Sequence, residues 1–372
     1  GPFGQAYDPA TGIDYVSHSD QAYLAAIDLL KPSRTLPVID LGGSPSAGAY
    51  DAASGTVYVP ESYWNSDPVD RGSLPDAVVA LQPSGASSAR SIPVAPFGES
   101  LRSYPTGFAP VAIADVPSDH KLFVANYGIG NATILNASTG TISGYSKLTL
   151  APTFALADPT QGLVLFADPL ALDAVSTTND TVVRSFTNPT PCPFFPQGPI
   201  ENLAVDPVHG LVFYLPGADG CSPNTGLFVW NPLNGSAVRV NTATAPYWDA
   251  VAFDPADGDL YIADATHYLV DIVNATNLST VAQVPVGSAP SFVAFDPVGS
   301  QILVADRGSN NLTILNGTSP AASRGPHGSV SAGNGPSAIT VASALDEIFV
   351  SDAAGGSVVE IATRPVIAHF AA

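Results

Sequence analysis

Four aspartates hold the same place in a recurring phrase: Asp168, Asp264, Asp306 and Asp352 each close a short apolar run, and Asn126 closes another. Carboxylate oxygens that converge bind calcium, whereas carboxylates that open a loop accept hydrogen bonds from its backbone. The loop recurs together with the residue, so turn capping is the expectation and a calcium site the alternative; no other cofactor is implied. Six histidines, His18, His120, His209, His267, His327 and His369, are scattered through the chain. Only His18 and His267 share a placement, just after such a run, and neither belongs to an HExxH pattern. The chain also has no GxSxG elbow and no phosphate-binding glycine loop. No catalytic residue is assigned.

A repeat must position these residues. Eight anchors each end an apolar run and open a turn: Asp8, Asp51, Asp115, Asp158, Asp206, Asp254 and Asp296, with Ser343 in the eighth place. Neighbouring anchors lie 42 to 48 residues apart, except for the 64 between Asp51 and Asp115. That period suits one four-stranded propeller blade, and the long interval reads as an insertion. Each unit offers four runs with period-2 alternation, as in SFVAFD, QILVAD, NLTILN and GSVSAG of the seventh. These are named a to d from the axis outward. Between a and b, Asp caps the turn, Pro presets φ, and a Gly a few residues on takes the left-handed position. The expected fold class is all-β: a single β-propeller domain over residues 1–372 with eight four-stranded blades, seven being the alternative. The approximate blades are 1–43, 44–95, 106–150, 151–187, 198–243, 244–287, 288–332 and 333–372.

Residues 121–128, KLFVANYG, and 301–318, QILVADRGSNNLTILNGT, resemble the YVTN-type β-propeller repeats of archaeal and bacterial surface proteins. The resemblance runs over essentially the whole chain. It implies a propeller in an extracellular, surface-layer-like setting and brings no catalytic motif with it. Such propellers often have seven blades; with eight units here, closure is expected from contact between SVVEIATRPVIAHFAA and GPFGQAYDP, the two ends of the chain.

The net charge is −20, from 32 acidic and 12 basic residues, and Lys31, Lys121 and Lys147 are the only lysines. Such a field repels nucleic acid and anionic membrane surfaces. No apolar stretch has the length to cross a bilayer, so membrane insertion is not expected. The start at Gly1 without Met reads as the mark of a removed signal segment, with a protease scar as the alternative.

Eight Asn-x-Ser/Thr acceptors occur, at Asn131, Asn136, Asn179, Asn234, Asn274, Asn277, Asn311 and Asn316, among 17 asparagines. Chance would give roughly three if Ser and Thr make up about one residue in six, so N-glycosylation outside the cell is expected. The alternative is ordinary turn chemistry. Cys192 and Cys221 fall in a d-to-a and a b-to-c connection, which leave an up-and-down blade on the same face. A disulfide there is expected and fits an oxidising compartment; two isolated cysteines lack the paired spacing of a zinc site, and two buried free thiols are the alternative.

The longest insertions, 61–76, 96–107, 187–199 and PGADGCSPNTG, belong to that same face. They carry Tyr63, Trp64, Phe97, Tyr104, Phe194 and Phe195, and the loop before the sixth unit adds Tyr247 and Trp248. These aromatics are the interface candidates; the alternative is that they fold inward as a plug. The expected function is a non-catalytic, glycosylated structural or adhesive protein of the cell surface. Its partners would be further copies of itself in a layer or filament, or other surface proteins and glycans. The alternatives are a metal-dependent hydrolase or lyase with an axial site, and a carbohydrate-binding module.

Overall fold

The computed structural model describes residues 2–9, 11–18, 23–28, 38–41, 43–51, 54–62, 77–81, 101–137, 139–149, 151–168, 171–187, 203–215, 226–240, 248–317, 326–342, 347–352 and 357–362. Among them the regular structure is β-strand, apart from two short 3-10 turns, Pro117–Asp119 and Tyr127–Ile129. The first sheet contains β1 (Pro2–Asp8), β2 (Ile13–His18), β3 (Tyr23–Asp28) and β4 (Ile39–Asp40). The second contains β5 (Ser44–Pro45), β6 (Ala49–Asp51), β7 (Thr56–Ser62), β8 (Ala77–Leu81) and β9 (Leu101–Pro105). The third runs β10 (Pro110–Val116), β11 (Lys121–Asn126), β12 (Asn131–Asn136), β13 (Ile142–Lys147), and the fourth β14 (Phe154–Asp158), β15 (Leu163–Asp168), β16 (Ala171–Ser176), β17 (Val182–Thr187). The fifth is β18 (Leu203–Asp206), β19 (Leu211–Tyr214), β20 (Leu227–Trp230), β21 (Ala237–Val240), and the sixth β22 (Trp248–Asp254), β23 (Asp259–Asp264), β24 (Leu269–Asn274), β25 (Thr280–Pro285). The seventh is β26 (Pro290–Asp296), β27 (Gln301–Asp306), β28 (Asn311–Asn316), β29 (Pro326–Ser331), and the eighth β30 (Pro336–Ala342), β31 (Glu347–Asp352), β32 (Ser357–Ala362).

Every described pairing is antiparallel and, apart from that of β5 with β7, joins strands consecutive in the chain, the up-and-down sheet of a β-propeller blade; each of the seven Asp anchors serves one sheet. The chain packs as two compact units, Gly1–Thr187 and Asn188–Ala372. Residues 363–372, to which closure is assigned from sequence, lie outside the described residues, as does Ser343.

The Asp anchors work as their chemistry dictates. Asp8 accepts Thr11 Oγ1 at 2.6 Å, Asp254 accepts Ala256 N at 2.8 Å, and Asp296 accepts Val298 N at 3.0 Å. The chain then returns through a left-handed residue: Gly258, at φ 74°, donates its amide to Asp254 O at 2.9 Å. In the seventh sheet Ser300 stands there at φ 50°, a conformation that costs an L residue more than glycine. Asp115 is the half-buried exception; burial, reinforced by the nearby Asp51 charge, pushes its carboxyl up to about 7.

Strand b is apolar on both faces because each face closes a different seam. Leu122 and Val124 pack toward Tyr58 and Val78 of the second sheet, whereas Phe123 and Ala125 pack toward Val164 and Phe166 of the fourth. In the second unit, Leu260 and Ile262 meet Phe213 and Leu227, while Tyr261 and Ala263 meet Ile302 and Val304. Phe123 and Phe166 are fully buried; each contributes on the order of 2–3 kcal/mol by leaving water. The seams also carry a recurring polar tether, from strand b to the residue just after strand c of the next sheet. Tyr58 Oη donates to Ala137 O, Lys121 Nζ to Thr177 O at 2.7 Å, and Tyr261 Oη to Gly317 O at 3.3 Å. Lys121 Nζ also pairs with Asp180 at 2.7 Å.

The second sheet departs from the sequence expectation in two ways. Its inner strand is broken into β5 and β6, both paired to β7. Its outer strand is β9, in the segment expected to be a loop and beyond the expected limit at residue 95; Tyr104 pairs opposite Val78. A run as short as LRSYP, beside Pro and Gly, reads as a loop until a partner strand fixes it.

Candidate functional site

The b-to-c ends of the sheets hold the four recurring carboxylates. Asp168 Oδ1 accepts Ala171 N at 2.8 Å. Asp264 Oδ1 accepts Thr266 N at 2.9 Å and His267 N at 3.0 Å, and its Oδ2 meets His267 Nδ1 at 2.7 Å. Asp306 Oδ2 accepts Thr313 Oγ1 at 2.5 Å and Asn311 Nδ2 at 3.0 Å. Each of these three is buried and binds groups of its own turn or the strand that follows. Asp352 ends β31, and its side chain lies outside the description. Among the described residues, no group of three or more His, Cys, Asp and Glu is placed to hold a metal ion.

His267, bonded through Nδ1 to a carboxylate, has the arrangement of an acid–base pair. The same arrangement recurs at the a-to-b end of the fifth sheet, where His209 Nδ1 meets Asp206 Oδ2 at 2.6 Å. An Asp with His three residues on thus makes this contact wherever the turn occurs. His18 is unlike His267: it is buried and stacks on Tyr23 with ring centroids 4.6 Å apart.

Trp248, expected in an exposed loop, instead begins β22 and is 1% exposed. Its indole donates to Asp271 Oδ2 at 2.7 Å, and Gln283 Nε2 donates to Asp271 Oδ1 at 2.7 Å. The correction has a plain cause: a strand that starts directly from a loop carries its first residue into the seam. Beside it, burial and then the Asp264 charge push the Asp249 carboxyl up to about 6 against the lowering pull of Arg307.

At the corresponding end of the third sheet, an open groove of about 710 Å³ runs between the b-to-c turn and the outer strand. Tyr127, Ile129, Asn131, Tyr145, Lys147 and Thr149 line it. Tyr145 and Lys147 lie two residues apart on β13 and so share a face, and Asn131 pairs directly opposite Lys147. Tyr127 is 37% and Ile129 54% exposed in the turn, and Tyr145 is 58% exposed on the outer strand, so apolar surface gathers at this end of the sheet. Sequence reasoning singled out only Asn131 of these, as a glycan acceptor, and missed the groove. The available signal was Tyr-Gly-Ile at a turn that the seventh repeat fills with Arg-Gly-Ser.

The eight sequons fall into different environments. Asn179, Asn234 and Asn277 are exposed at c-to-d turns, and each Oδ1 accepts the amide of the Ser or Thr two residues on, at 3.3, 2.8 and 2.9 Å. Asn274 Nδ2 instead donates to Asp259 at 3.0 Å, and Asn311 Nδ2 donates to Asp306 and to Ser329 Oγ at 3.0 and 2.7 Å. Asn136 and Asn316 end strand c, half-buried, and Asn131 sits in the groove. Tyr63, Trp64, Phe97, Cys192, Phe194, Phe195, Cys221 and Tyr247 lie outside the described residues, as does the side chain of Tyr104.

No protein-family model matches the sequence, and no curated protein matches it. Among solved structures, the chain is similar to hydrazine synthase of Kuenenia stuttgartiensis, with a TM-score of 0.59 and 13% identity over 98% of this chain and 96% of that one. In all, 1609 solved chains match, so the likeness establishes the β-propeller fold and nothing narrower.

Proposed function

We propose that this chain is an exported, glycosylated structural or adhesive protein of the cell surface that assembles with copies of itself and has no catalytic role. The observation that carries this reading is the set of turn-tip sequons at Asn179, Asn234 and Asn277. Their side-chain oxygens are held by the turn, and no partner engages their nitrogens among the described residues, so a glycan could be attached without breaking a bond. Their repetition in the fourth, fifth and sixth sheets would present sugars at the same end of each. No helix among the described residues is long and apolar enough to cross a membrane.

Peptide mass spectrometry of protein isolated from its native source tests the reading. It should find hexose-bearing Asn179, Asn234 and Asn277, with Asn274 and Asn311 bare; a wholly unmodified chain would overturn it. Sedimentation at rising concentration tests assembly, and a monomer throughout the range removes that part. Among the described residues the Asp264–His267 and Asp206–His209 pairs give a hydrolase or lyase its support, and replacement of each His by Gln with unchanged properties would dispose of it.

A further inference from the structure

We propose that the third-sheet groove binds a carboxylated saccharide of the uronic-acid type. This deepens the adhesive reading and rests on it for its setting. Its volume, about 710 Å³, falls within the range of small-ligand sites. The tyrosines offer flat apolar rings with polar tips, matching a pyranose, whose face is largely C–H and whose rim carries hydroxyls. Both are exposed, Tyr127 in the b-to-c turn and Tyr145 on the outer strand.

Charge selects the class of sugar. In a chain of net charge −20 with three lysines, Lys121 is committed to Thr177 and Asp180, whereas Lys147 is exposed and has no ion-pair or hydrogen-bond partner among the described residues. Among the described residues, no acidic side chain lines the groove. The carboxylate behind it, Asp173, is buried and accepts both Thr149 N and Thr149 Oγ1, at 2.6 and 2.9 Å. Asn131 adds a donor: its Oδ1 accepts Asn126 Nδ2 at 2.8 Å, while its Nδ2 has no partner among the described residues. Aromatic faces, one unpaired ammonium and an amide donor together fit a sugar ring bearing one carboxylate. The acidity of the chain as a whole disfavours long, dense polyanions.

Titration calorimetry on the full chain produced without glycans, using tri-galacturonate and its neutral tri-galactose counterpart, tests this directly. The acidic sugar should bind about tenfold more tightly, and its advantage should shrink in ~0.5 M salt. Lys147→Ala should erase the advantage and Lys147→Arg keep it, while Tyr145→Ala should weaken both sugars about tenfold. These side chains are exposed on an outer strand, so unchanged thermal melts should accompany the losses. Equal affinity for both sugars, an undiminished preference in Lys147→Ala, or no binding at millimolar sugar overturns the proposal. A dimer abolished by Tyr145→Ala, without sugar binding, would also overturn it and assign the groove to a second copy. None of these results depends on which turn-tip asparagines carry glycans, so this inference and the reading it rests on fail separately.

Discussion

The third and seventh sheets place nearly the same side chains at the same end and obtain opposite polarity. In the seventh, Asp306 accepts from Asn311 Nδ2 and Thr313 Oγ1. In the third, Asn126 takes the place of that aspartate and donates its Nδ2 to Asn131 Oδ1 at 2.8 Å and Thr133 Oγ1 at 2.9 Å. One atom's difference, oxygen for nitrogen, turns the neighbouring asparagine around. Asn311 points its nitrogen inward and is tied down, whereas Asn131 keeps its nitrogen for the groove. The adjoining turns follow suit, Arg307-Gly308-Ser309 against Tyr127-Gly128-Ile129. The lesson is that a repeat can keep its backbone and still convert a closed polar cap into an open groove.

Exchanging the key residues should break this contrast. Asn126→Asp puts a carboxylate at a site with no solvent access, and we expect a loss of about 3 kcal/mol at neutral pH, smaller near pH 4, measured by urea unfolding. It should also turn Asn131 inward and weaken any ligand of the groove. The reverse change, Asp306→Asn, should stabilise. Burial raises the Asp306 carboxyl from 3.8 to about 6, opposed by hydrogen bonds from Thr313, Gly287 and Asn311. The folded state therefore holds this proton more tightly than the unfolded chain does. Its contribution is best below pH 4 and declines as pH rises to 6. The variant should lose that decline and gain about 2 kcal/mol above pH 6 while matching the parent near pH 4.

Smaller effects sharpen the comparison. Lys121→Ala removes a tether between the third and fourth sheets that is one-fifth exposed, and should cost about 1 kcal/mol by thermal melt, less in high salt. Gln301 begins strand b of the seventh sheet in the same place, and Gln301→Ala should cost less than Lys121→Ala. Ser300→Gly relieves the left-handed turn of the seventh sheet and should gain about 0.5 kcal/mol, read as a small rise in Tm. A loss there would show that the serine side chain matters more than its backbone angle.

Much of the fold was legible because local and long-range demands agree. The Asp anchors and the left-handed glycine each have one physical use, and at Asp8, Asp254 and Asp296 the structure puts the carboxylate to it; that strand b is apolar on both faces, rather than alternating, emerged only from the seams. The second sheet was harder: in LRSYP the hydrogen-bonded partner, Ala77–Leu81, decides the strand, and it lies beyond a long insertion. Trp248 was misread because aromatic type beside a Pro-containing loop says nothing about the seam it enters. The groove escaped notice for a related reason. Alternation tells that Tyr145 and Lys147 share a face of β13, but not that this face lacks cover.

Because the described seams within each unit are closed by their own side chains and several of the turns by their own caps, faults in this molecule should stay local. A destabilised sheet can open while more distant ones keep their protection, and amide exchange would then show separate blocks melting in sequence. Such a body tolerates sequence drift copy by copy, which leaves one repeat free to acquire a specialised surface while its siblings preserve the scaffold.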